Sequence, residues 1–75
     1  MNTGMLWFDS SSLSLEKKIE KAIAYYQKKY NFVPDTILVH PSMVKDGTPE
    51  IKNITVRPYR PVLPDHIWLG VEDNA

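Results

Sequence analysis

There is no cysteine in this chain. That excludes disulfide staples and thiolate metal sites outright. It also fits a reducing compartment, so the expected location is cytoplasmic. Glycine is scarce: Gly4, Gly47 and Gly70 are the whole supply. No glycine-rich loop can cradle a phosphate, which disfavours nucleotide hydrolysis and dinucleotide binding. Long apolar runs are missing too. Met5-Leu6-Trp7-Phe8 is far short of the about 7–15 apolar residues of a signal peptide, or the about 20 of a membrane span. No basic region precedes it, so no membrane association is expected. Net charge is absent as well: nine Lys plus Arg balance nine Asp plus Glu. A dedicated nucleic-acid binder draws much of its affinity from phosphate neutralisation, so zero net charge weighs against one.

What is present is an ordinary globular composition, 43% hydrophobic and 24% charged in 75 residues. That length gives one small domain over residues 1–75, with 1–4 and 72–75 expected as frayed tails. A chain of this size buries only about 60% of its unfolded surface, so its stability is marginal. Small domains answer with disulfides, metals or oligomers. Without cysteine, self-association is the natural remedy.

The hydrophobic pattern predicts β-α-β-β-β. Met5 to Phe8 reads as a strand, broken by the hydrogen-bonding residues Asp9 to Ser12. A helix follows, capped by Ser12 or Ser14, with Glu16 at its positive end. Leu15, Ile19, Ala22, Ile23, Tyr26 and Tyr30 form one apolar stripe. Lys28 and Lys29 suit the last turn, Asn31 suits a left-handed cap, and Phe32 should pack back on Tyr26. Pro34 stops the helix. Thr36 to His40 is the second strand, Ile54 to Arg57 the third and Ile67 to Val71 the fourth. Residues 42–53 carry a turn signal and read as a mobile loop. Gly70 inside a strand suggests close approach by a backbone or an aromatic ring. The expected fold is α+β: a small mixed sheet of three or four strands with one amphipathic helix on one face. If the first two strands share the sheet, they run parallel, and the remaining strands should add antiparallel pairs.

The mismatch between this single helix and the strands carries the functional argument. Met5-Leu6-Trp7-Phe8, Ile37-Leu38-Val39 and Ile67-Trp68-Leu69 are apolar on both faces. One helix covers one face. The other should present Trp7, Leu38 and Trp68, or their neighbours if the register slips by one. A large exposed apolar patch marks a contact surface. The competing reading is that segments around Met43-Val44 and Val62-Leu63 fold over it.

Other motifs are weaker. Pro58, Pro61 and Pro64 have the polyproline period, but the basic residues do not match the usual ligand patterns. A stiff connector into the fourth strand is the better reading. His40, Asp65 and His66 lack any metal or catalytic spacing, and His40 should be satisfied locally. Ser42 near His40 lacks a nucleophile elbow. No catalytic, cofactor or metal residue is assigned. The expectation is a small non-enzymatic interaction module. It would dimerise, or dock on another protein, through Trp7, Leu38 and Trp68, flanked by Arg57, Tyr59 and Arg60. The alternative is a nucleic-acid module that stacks bases on the same aromatic and arginine residues.

Overall fold

A computed structural model describes residues 4–71. The expected tails at residues 1–3 and 72–75 lie outside the described residues. The elements are β1 (Gly4–Phe8), α1 (Leu15–Tyr30), β2 (Thr36–Val39), a 3-10 turn (Pro41–Val44), β3 (Thr55–Pro58) and β4 (His66–Gly70). The fold is α+β, with one helix and a four-stranded mixed sheet. Gly4, expected in a tail, opens β1 instead.

Helix boundaries follow local chemistry. Ser14 is the N-cap, its hydroxyl oxygen accepting the Lys17 N–H at 3.3 Å. Such a cap stabilises a helix by about 1 kcal/mol. Asn31 closes the other end in the left-handed region (φ 65°), its N–H donating to the Gln27 carbonyl at 2.8 Å. Phe32 then turns back edge-on to Tyr26, with ring centroids 5.6 Å apart.

The sheet order is β1-β4-β2-β3. β4 runs antiparallel to both β1 and β2, so those two are parallel with β4 inserted between them. β3 pairs parallel with β2, where an antiparallel pair was expected. The reason is the length of residues 40–54. Parallel neighbours need a crossover of a dozen or more residues, and this stretch supplies it. The crossover is pinned rather than loose: Met43, Val44, Ile51 and Ile54 all pack against the core.

The core lies between α1 and one sheet face. Ile19, Ala22 and Tyr26 of the stripe meet Ile37, Val39, Ile67 and Leu69. Each large aliphatic or aromatic side chain buried this way contributes about 1.5–3 kcal/mol. Lys18 is buried beside the stripe, its ammonium 3.7 Å from the Asp65 carboxylate. Asp65 also accepts the Asp9 N–H on its carbonyl at 2.9 Å. This corner ties the start of the helix to the end of β1 and the entry to β4.

Candidate functional site

In a sheet, directly paired residues share a face and successive residues alternate. Ile37 pairs with Leu69 and Val56, and Leu69 with Met5. Trp7, Ile67 and Val39 lie one pleat further on the same side. This is the helix side. Trp7 is therefore a correction: it packs against the core, not on the uncovered face. Its indole sits 5.2 Å from the Tyr25 ring, and its buried Nε1 has no hydrogen-bond partner among the described residues.

The uncovered face is built from the alternate residues. One row crosses all four strands as Leu6, Trp68, Leu38 and Arg57. Leu38, Trp68 and Arg57 were expected at this surface, and the register brings the three together. The next row contains Phe8 and His66, whose rings meet at a tilt with centroids 4.9 Å apart. On the other side lies a row of small residues, Gly4, Gly70, Thr36 and Thr55. Trp68 exploits that shallow step. A Cβ added at Gly4 would overlap indole atoms Cζ2, Cε2 and Nε1, so the ring lies directly over the Gly4 backbone. The glycine beneath a ring is thus Gly4, the cross-strand partner of Gly70.

Exposure across this face is uneven. Leu38 is only 2% exposed and Trp68 is half-buried, whereas Leu6 is 59% and Phe8 61% exposed. Leu38 and Val62 are the buried apolar residues that stand apart from the helix-side core among the described residues. Met43 and Val44, considered as cover for this face, pack into the helix-side core instead. Leu63 is exposed. The apolar surface left open therefore concentrates on β1.

Tyr59 and Arg60 follow β3, both exposed. The Tyr59 N–H donates to the Val39 carbonyl at 2.7 Å, prolonging the β2–β3 ladder. Two turns then carry the chain into β4, closed by Val62 N–H to Tyr59 O and His66 N–H to Leu63 O, each 3.1 Å. The proline segment is a connector, as expected, but folded into turns rather than extended.

The polar candidates are satisfied close to home. His40 Nδ1 accepts the Ser42 N–H at 3.1 Å and lies 2.8 Å from its hydroxyl, capping the 3-10 turn. His66 Nδ1 lies 3.0 Å from the Pro64 carbonyl. Among the described residues no group of three or more His, Cys, Asp or Glu could hold a metal ion. No described helix is long and apolar enough to cross a membrane. An open hollow on α1 is lined by Tyr25, Lys28 and Lys29, residues one turn apart.

Sequence reasoning missed Leu6 and Phe8 by choosing the wrong phase in β1. The run Met5-Leu6-Trp7-Phe8 holds no polar residue to mark which side faces water. The usable signal was Gly4: a small residue in phase with Leu6 and Phe8 leaves room for a large ring from the next strand. Comparison with known protein families, curated proteins and solved structures finds no match for this chain.

Proposed function

We propose that the chain is a small interaction module that works through the sheet face opposite the helix, most simply by pairing with a second copy of itself. One observation carries this reading. Leu6 and Phe8 stand side by side on an edge strand, more than half exposed, beside the half-buried Trp68. Apolar side chains that are contiguous and solvent-facing mark contact surfaces. Aromatic anchors are the residues that dominate binding energy. Arg57, Tyr59 and Arg60 supply a polar rim at the far side. The role in this reading is contact rather than catalysis. The cysteine-free composition suits a cytoplasmic setting.

The test is light scattering after size exclusion, across a wide range of protein concentration, on the native chain and Trp68→Ala. The expected result is a concentration-dependent dimer that Trp68→Ala weakens more than it lowers thermal stability. A native chain that stays monomeric throughout refutes self-association. Binding to single-stranded oligonucleotides that falls steeply with added salt would instead establish the nucleic-acid alternative.

A further inference from the structure

We propose that two copies join edge to edge through β1, antiparallel about a two-fold axis at Leu6. This rests on the self-association reading above and places the seam along the β1 rim of that face, where Leu6 and Phe8 stand.

The argument begins with backbone direction. In an antiparallel pair, hydrogen-bonded residues alternate with residues that point their N–H and C=O away. The Asp9 N–H donates to the Asp65 carbonyl, in register with β1–β4. Asp9, Trp7 and Met5 therefore face β4. Gly4, Leu6 and Phe8 turn their backbone groups to the open edge.

The opposite edge of the sheet is closed to such pairing. In β3 the Thr55 and Tyr59 N–H groups donate inward, to Asp35 and Val39. The outward positions are Ile54, Val56 and Pro58. Ile54 spends its N–H on the Ile51 carbonyl, and Pro58 has none. Proline on an edge is a standard block to strand addition. β1 carries neither proline nor charge. Among the described residues, one edge is blunted and the other is open.

β1 is also its own complement. A two-fold axis at Leu6 sets Leu6 against its copy and Gly4 against the copy's Phe8. All three outward residues then exchange hydrogen bonds. Registers centred on Met5 or Trp7 pair only two of the three. The chosen register has a further steric logic. Gly4 has no side chain, and the Trp68 indole lies over it. The Phe8 ring of the second copy arrives on the same face at that spot, against the indole edge. Each exposed Phe8 thus gains a second aromatic neighbour besides His66, and aromatic contacts of this kind add to simple burial. With formal net charge zero, two copies approach without overall repulsion. The two open faces become one continuous sheet surface.

The experiment uses the whole 75-residue chain, which is accessible to chemical synthesis. N-methylation of Leu6 deletes one outward N–H and leaves every side chain and the β4 ladder intact. The expected effect is a rise of at least about tenfold in dimer Kd, since the lesion occurs twice at the axis. Because the chain has no cysteine, a single introduced thiol can oxidise only between copies. Leu6→Cys should cross-link readily, its Cα lying about 5.5 Å from its copy, within disulfide range. Phe8→Cys should not, since its copy lies four residues away along the strands, about 14 Å. A dimer whose Kd is unchanged by N-methyl-Leu6, or in which Phe8→Cys links faster than Leu6→Cys, overturns edge pairing but leaves self-association standing. A native chain that is monomeric by light scattering at every concentration overturns both.

Discussion

Replacing Gly4 by alanine tests the packing of the uncovered face by the sign of its effect. Away from any neighbour, glycine to alanine in a strand stabilises by about 0.5–1 kcal/mol, because glycine loses more freedom on folding. Here the added methyl would overlap three atoms of the Trp68 indole. The indole is rigid and cannot yield at one end without swinging off the strand. Forcing a methyl into an occupied site costs about 1–3 kcal/mol. The net expectation is a loss of about 1–2 kcal/mol, or a Tm drop of roughly 4–16 °C at about 4–8 °C per kcal/mol for a chain of this size. The control is Trp68→Ala, which removes the obstacle. In that background Gly4→Ala should be neutral or stabilising, giving a coupling of about 2 kcal/mol in the double-mutant cycle. Melts followed by circular dichroism, at one low protein concentration so that association does not contribute, supply all four values. If Gly4→Ala is neutral in the native background, the ring does not lie over Gly4, and the aromatic step on which the Phe8 contact depends is gone.

Three further predictions concern the helix side and its corner. The Tyr26 hydroxyl is buried without a hydrogen-bond partner among the described residues, and burial, aided by Tyr30 and Asp35, pushes its pKa above the ordinary 10.0. Tyr26→Phe should raise stability by about 1 kcal/mol in thermal melts, since an unpaired buried hydroxyl costs about that or more. The unfolded chain ionises this phenol first, so stability should decline as pH rises past 10, and Tyr26→Phe should flatten that decline. Asp65→Asn keeps a side chain that tolerates the left-handed backbone at φ 66° but strips Lys18 of its counter-charge. The expected cost is about 1–3 kcal/mol in urea denaturation, less than for a fully buried pair because Asp65 is half exposed, and Lys18→Met should recover it. Asp9 is held below its ordinary pKa by the Ser11 hydroxyl and then by the Ser11 N–H. That contribution is present above pH 3.8 and lost as pH falls below it. Ser11→Ala should move the Asp9 carboxyl back up in an NMR titration; an unchanged midpoint would exclude the hydroxyl as the cause.

The helix was legible in the sequence because its signals agree. The stripe from Leu15 to Tyr30, the Ser14 cap, the Asn31 turn and the Phe32 contact are all local. Strand existence was legible for the same reason, with ends shifted by one residue: β2 stops at Val39, β3 starts at Thr55, and β4 starts at His66. Trp68 against Ile67 and Leu69 was phased correctly, since Asp65 and the turn before it fix where β4 begins. β1 was not, because four consecutive apolar residues carry no phase. Strand order was also hidden. Nothing local tells β4 to enter between β1 and β2; that follows from burial of Ile67 and Leu69 on the helix side together with the position of the connector. The parallel β2–β3 pair was hidden because a crossover without a helix leaves no periodic signature, although its apolar anchors Met43, Val44, Ile51 and Ile54 were visible. Among the site residues, Leu38, Arg57 and Trp68 came together because strand alternation alone places them; Tyr59 and Arg60 depend on turns that composition does not locate.

The position of β4 has a consequence for how the chain is made. It is made after the other three strands of this sheet, yet it is the seam to which both β1 and β2 are bonded. Until residue 70 has emerged, β1 has no strand partner among the described residues, and the core beneath the helix lacks Ile67 and Leu69. A nascent chain therefore holds its most apolar edge unpaired until β4 has been made and then closes in one step. Folding should be all-or-none and late, with long-range pairing as its slow event. Any interruption before β4 leaves not a smaller domain but two separate fragments of sheet.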